Sequence, residues 1–191
     1  MATSEKRQEI LKAALELITE HGFHGAPIAA IAERAGVGAW TIYRYFATKD
    51  ILITELFQEL HDKMCADILA GYEVTQPFRV RFLHLTTALL RYFITHPQEF
   101  RYLGQYHNSP YGIAFRRDRI LGKEGEKTPY RVLFEEGIAQ QVIRDFPLVV
   151  LFALTFGPLL AVARDHTLGF VTLDDRLLVQ TVEACWESIK R

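Results

Sequence analysis

Apolar positions recur at intervals of three and four residues along nearly the whole chain, and no stretch alternates apolar and polar residues as a strand would. The pattern predicts an all-α protein. A first helix starts at Thr3 or Ser4, places Ile10, Ala13, Ala14, Leu17 and Ile18 on one face, and stops at His21-Gly22. Pro27 fits the first turn of a second helix, whose face is Ile28, Ile31, Ala32 and Ala35. A third spans about 39–46, and a fourth opens with Thr48 as its cap and turns Ile51, Leu52, Leu56, Phe57, Leu60 and Met64 inward. "GYEVTQP" breaks the chain, Pro77 restarts a helix to Thr95, and His96-Pro97 ends it. The stretch 97–130 reads as the least regular part, with "PYG" at 110–112 and "GKEGEKTP" at 122–129 as loop signals. Further helices are expected from Pro129 to Gln141, from Pro147 across a kink at Gly157-Pro158, and from Thr172 to the end, with Asp175 completing a near capping box.

The second and third helices are separated by Gly36, which supplies a positive φ, and Val37, which plugs the corner. Ile42 and Phe46, four apart, answer the apolar face of the second helix. This is the layout of a helix-turn-helix. With about 100° per residue and the buried face centred on Ile42 and Phe46, Arg44 points away, Trp40 and Thr41 lie beside it, and Tyr43 and Tyr45 flank them. Such a wall suits a DNA groove. Arginine can bond guanine bidentately, threonine a base or phosphate, and rings can touch thymine methyls. Tyrosine hydroxyls can fix register on phosphates. Thr48 and Lys49 at the start of the fourth helix make a phosphate site. Charge does not add to this picture. Net charge is −1 over 191 residues, and the first fifty hold six Lys/Arg against six Asp/Glu. A DNA-binding reading therefore rests on where the charges sit.

These residues resemble the DNA-binding domain of the TetR/AcrR family of transcriptional regulators. The match covers about residues 7–57 through "ILKAALELITEHGF", "IAAIAERAGV" and "TIYRYFATKDIL". The resemblance implies that Thr41 and Tyr43 lie on the recognition helix and that Tyr45 and Lys49 correspond to phosphate-contacting positions. It further implies a 1–50 helix-turn-helix domain followed by a 51–191 helical ligand-binding and dimerisation domain. The chain departs from the family pattern at Ala26-Pro27, where a hydroxyl is usual, and at Gly38-Ala39-Trp40, where a basic residue gives way to a bulky ring.

"FRYLGQYHNSPY", 100–111, resembles a segment near the family's ligand cavity. Phe100, Tyr102, Tyr106, His107, Phe134, Phe152 and Phe156 are the candidate lining for a small apolar or aromatic effector. The resemblance also implies a homodimer in which the last two helices of each chain form a four-helix bundle. The run from Pro147 to Ala163 is apolar nearly all round, more than one core face needs, and reads as a buried helix rather than a membrane span. Candidate interface residues are Phe156, Leu160, Leu178, Val182 and Trp186. A twofold dimer matches a palindromic operator in double-stranded DNA.

Cys65 and Cys185 stand alone in sequence, His61-Asp62 has no third ligand at helical spacing, and the polar N-terminus is no signal peptide. No nucleophilic triad or phosphate loop is present. The expectation is a cytoplasmic regulator, a repressor released by its effector, without cofactor or enzymatic activity. The alternative is a small-molecule binding protein whose DNA binding is weakened or lost.

Overall fold

The computed structural model describes residues 2–121 and 128–191, so the loop signalled at 122–129 lies, as far as Lys127, outside the described residues. The chain is all-α. Its helices are α1 (Ala2–Gly25), α2 (Ile28–Arg34), α3 (Ala39–Tyr45), α4 (Lys49–Leu69), α5 (Phe78–Thr95), α6 (Pro97–His107), α7 (Pro110–Leu121), α8 (Pro129–Ala139), α9 (Leu148–Thr167) and α10 (Asp175–Ile189). They form two compact units. One comprises Met1–Lys63 with Gln98–Ile113, the other Met64–Pro97 with Ala114–Arg191. The domain boundary expected after residue 50 falls in the first turn of α4, inside the first unit.

The first unit is built on a core in which Ile10, Ala14 and Ile18 of α1, Ile31 of α2, Ile42 of α3 and Leu52 and Ile53 of α4 have no exposed surface. Gly22 interrupts α1 at φ 74°, where the sequence signals a stop, and one further turn runs on to Gly25. Two ion pairs tie α1 to α4: Arg7 bonds Glu55 at 2.7 Å and also Glu59. The same guanidinium lies 5.4 Å from the ring centre of Phe46, the buried residue that ends α3. Thr48 caps α4 as its spacing predicts, its Oγ1 accepting the Ile51 amide at 3.2 Å. Ile51 itself is exposed rather than inward.

The second unit packs α8, α9 and α10 around α5. Phe82, Leu85 and Leu90 of α5 are fully buried. Trp186 of α10 lies 5.5 Å from Phe82 and 5.9 Å from Phe78, ring to ring. Arg81, buried on α5, grips Glu136 of α8 with both terminal nitrogens, one at 2.8 Å.

Two local expectations are corrected. The stretch from 97 to 121 is helical. Pro97 and Pro110 read as stops, yet each opens a helix, where a fixed φ and a missing N–H cost nothing. The cap of α10 is Asp174, whose Oδ1 accepts the Leu177 amide at 2.7 Å, not Thr172. As expected, α9 runs past Gly157-Pro158, with Pro158 inside the helix.

Candidate functional site

The turn between α2 and α3 is closed by backbone. The Gly36 amide donates to Glu33 O at 3.1 Å and the Val37 amide to Ala32 O at 2.9 Å. Gly36 takes φ 64°, a left-handed conformation that L side chains rarely adopt. That turn delivers α3 with Ile42 and Phe46 wholly inside and the rest outward. Trp40 is 73% exposed and Tyr43 52%. Arg44 is exposed, and Thr41 and Tyr45 are half-buried.

Arg44 is not a loose side chain. Its guanidinium lies 6.0 Å from the Trp40 ring and 5.4 Å from the Tyr45 ring, and it donates to the Tyr45 hydroxyl at 3.4 Å. Cation–π attraction of this kind contributes about 0.5–1 kcal/mol at an exposed site. The arginine is thereby bracketed by two rings on the outer face.

Thr48 stands at the start of α4 as a cap. Lys49 is half-buried, and its Nζ donates to the Phe23 carbonyl at 2.5 Å, across the end of α1. Burial holds the Lys49 ammonium below its usual pKa. Two arginines of this unit are also engaged. Arg34 meets Glu16 at 3.2 Å and Glu20 at 3.5 Å, and Arg7 is held by Glu55 and Glu59. The α2 start carries no side-chain cap at Pro27.

The expected effector residues fall into two groups, one in each compact unit. In the first unit, Tyr106 stacks on Phe57 of α4 with ring centres 3.8 Å apart, and His107 meets Phe57 edge-on at 5.6 Å. Tyr102 is fully buried and donates its hydroxyl to Ile53 O at 2.7 Å. Burial pushes the Tyr102 phenol far above its ordinary range and raises that of Tyr106. Phe100 is buried as well. Tyr102, Tyr106 and His107 pack α6 onto α4.

In the second unit, Phe134, Phe152 and Phe156 form a row: Phe134 to Phe152 at 5.3 Å, Phe152 to Phe156 at 5.4 Å. Tyr130 extends it, edge-on to Phe156 at 4.7 Å, with its hydroxyl donating to Leu85 O at 2.8 Å. Thr155 stands on the same face of α9. It is fully buried, and its hydroxyl has no hydrogen-bond partner. Residue-by-residue reading missed Tyr130 and Thr155. Thr155 is the lone hydroxyl in a long apolar run, and that isolation was the available signal. A shallow cleft of about 310 Å³ lies elsewhere in the unit, lined by Gly71, Tyr72, Gln76, Arg81 and His84, and includes none of the expected effector residues.

The expected interface residues also divide. Leu178, Val182 and Trp186 are buried within the second unit, and Phe156 is half-buried in the aromatic row. Leu160 is 43% exposed. It belongs to an outward stripe of α9 with Val149, Ala153, Gly157 and Ala161, continued by Leu168 just past the helix end. Helix α9 is long and apolar enough to cross a membrane, at mean hydropathy 1.8, and 22% of that stretch is buried. Among the described residues, no three His, Cys, Asp or Glu side chains come together as a metal set.

Two family models match the chain. The one described as bacterial regulatory proteins, tetR family, covers residues 10–56, and the one described as tetracyclin repressor-like, C-terminal domain, covers residues 77–190. A fatty acid metabolism regulator protein of Bacillus subtilis is 43% identical over 54 residues, 28% of this chain and 28% of that protein. The chain therefore spans less than a third of that curated relative. The solved structure of a TetR-family regulator from Vibrio parahaemolyticus is 29% identical and superposes with a TM-score of 0.78 over 97% of this chain and 99% of that one. One from Marinobacter aquaeolei VT8, 21% identical, shares the fold with a TM-score of 0.84 over 100% of both chains.

Proposed function

Because the chain belongs to the TetR family of transcriptional regulators, we propose that this DNA-binding regulator is a cytoplasmic repressor that reads a palindromic operator as a homodimer and lets go when a small apolar or aromatic effector binds. The observation that carries the DNA reading is the outer face of α3, where Trp40, Tyr43 and the ring-bracketed Arg44 project from a helix whose other side is sealed by Ile42 and Phe46. Arg44 reads a guanine edge, and Trp40 and Thr41 touch neighbouring bases. Tyr43 and Tyr45 hold phosphates on either flank, and the α4 start with Thr48 takes a third. Lys49, committed to Phe23, braces α4 against α1.

The dimer is supported by α9. Its outward stripe of Val149, Leu160 and Leu168 is larger than isolated surface apolar residues explain, and a second copy covers it. Leu178, Val182 and Trp186 back that interface from inside. The effector reading is favoured at Phe152 and Phe156. There an unsatisfied buried hydroxyl, Thr155, waits beside half-buried rings, which suits a ligand that is largely apolar with one hydrogen-bonding group. Tyr102, Tyr106 and His107 then act through their packing on α4, with Phe100 buried beside them on α6. Release requires that the effector favour one of two states, so operator DNA and effector weaken each other by the same factor.

The test is selection of duplexes from a random pool, followed by affinity measurement on every single-base variant of the winning site. Arg44→Ala is expected to cost about 1–3 kcal/mol per base contact and to relax one position in each half-site. A uniform loss with base preferences intact removes Arg44 from the reading role. A second reading is favoured by the engaged Lys49 and the uncapped start of α2: a ligand-binding protein with weakened DNA affinity. Failure of the wild-type chain to enrich any sequence at low salt decides for it.

A further inference from the structure

The first turn of α4 carries opposite charges side by side, and both are claimed by residues distant in sequence. Lys49 donates to the Phe23 carbonyl at 2.5 Å. Asp50 Oδ1 accepts the hydroxyl of Tyr111, the second residue of α7, at 2.6 Å. The Phe23 ring is edge-on to Tyr111 at 5.6 Å and to Tyr102 at 6.1 Å, and Tyr102 bonds Ile53 O within the next turn of α4. One aromatic cluster thus fixes both charged side chains of that turn.

The backbone of the turn shows what is at stake. Thr48 Oγ1 accepts the Ile51 amide, and the Thr48 carbonyl accepts the Leu52 amide. The amides of Lys49 and Asp50 are left without an intrahelical acceptor, as at any helix start. An acidic side chain in a first turn is drawn toward such amides and toward the positive end of the helix dipole. Asp50 is therefore the chain's own competitor for any phosphate that would bind there. Its bond to Tyr111 draws the carboxylate aside.

We propose that Tyr111 is a positioning residue for DNA binding: its hydroxyl holds the Asp50 carboxylate against α7, so that the first-turn amides of α4 stay open to an operator phosphate. The inference rests on the DNA reading given above. The bond to Asp50 pushes the Tyr111 phenol up to about 12, so the hydroxyl keeps its proton, and its donor role, across the physiological range. Asp50 is exposed and Tyr111 half-buried, so the bond adds little to folding, and its loss is read in DNA affinity.

The experiment uses the full chain and the best duplex selected from a random pool. Tyr111→Phe is expected to weaken every sequence about two- to fivefold per half-site, the scale of one exposed charge at a helix terminus, with base preferences unchanged. Adding Asp50→Asn to Tyr111→Phe is expected to restore affinity to within about twofold of wild type. Asp50→Asn alone is the reference, since removing a carboxylate near phosphates raises affinity in any case. A larger gain is expected in the Tyr111→Phe background than in wild type, whereas a merely structural tyrosine would lower the melting temperature of both Tyr111 variants alike and give equal gains in the two backgrounds. Wild-type affinity in Tyr111→Phe, or a double variant as weak as the single, overturns the inference. A wild-type chain that selects no duplex overturns the DNA reading itself, and this inference with it.

Discussion

Lys49 separates two ways a cation can serve a DNA-binding head, and replacing it with methionine tells them apart. Lys49→Met keeps the aliphatic stem and removes the bond to Phe23 O. A hydrogen bond from a charged donor contributes about 1.5–3 kcal/mol when buried. Lys49 is half-exposed and its charge is penalised by burial, so about 1 kcal/mol is the fair figure. In a chain of this length that lowers Tm by about 2–4 °C. Were the ammonium instead on a phosphate, each half-site would release about 0.9 counterion and the dimer about 1.8. Between 50 and 200 mM salt that slope amounts to about a twelvefold difference in the affinity lost. Fluorescence anisotropy of labelled operator across that salt range, with a melting curve for each protein, reads both quantities. The structure predicts parallel salt lines and a lower Tm for Lys49→Met. A slope reduced by about two with melting unchanged would show that Lys49 leaves Phe23 for the DNA, and the bracing role would be refuted.

Three further outcomes are expected. Leu160→Glu places a charge in the apolar stripe of α9 and should give monomer or aggregate in sedimentation velocity; dimer of unchanged mass removes Leu160 from the interface. Glu136 is held below the ordinary carboxylate range chiefly by its hydrogen bonds from Arg81, so its contribution to stability is present above the unfolded value of 4.5 and is lost as pH falls through the lower folded value. Glu136→Gln should cost about 1–3 kcal/mol at pH 7, because it leaves Arg81 buried without its counter-charge, and the gap to wild type in urea unfolding should close as pH falls through the lowered folded value. Gly137→Ala should destabilise by about 1–3 kcal/mol by the same assay, since the added carbon would lie 2.4 Å from Cε2 and 2.6 Å from Cζ of the buried Phe78 ring; wild-type stability would mean that the ring has room to move.

Much of the reading head was legible because its determinants are local. Gly36 fixes a turn, Thr48 caps the helix it precedes, and the four-residue step from Ile42 to Phe46 sets which way Arg44 faces. The apolar face of α10 was equally plain, but periodicity cannot say which neighbour a face meets. Leu178, Val182 and Trp186 meet their own α5 and α9, while the exposed stripe of α9 is the part left over. Pro97 and Pro110 misled because proline both ends and begins helices, and only the following residues decide. The commitments of Lys49 to Phe23 and of Asp50 to Tyr111 span 26 and 61 residues, so no window along the sequence contains either pair.

The ion pairs of the head bear on time as well as on affinity. Arg7 and Arg34 are spent on glutamates, Lys49 on a carbonyl, and the recognition helix presents a single cation, on a chain of net charge −1. Little long-range field draws such a surface toward DNA, so encounter proceeds near the unsteered rate of about 10⁵–10⁶ M⁻¹s⁻¹. On the proposed reading, occupancy of the operator then depends on slow departure, set by how well the exposed Trp40, Tyr43 and Arg44 fit the groove. If the protein is released by an effector as proposed, the rate at which a promoter opens is then set by how much that effector hastens dissociation.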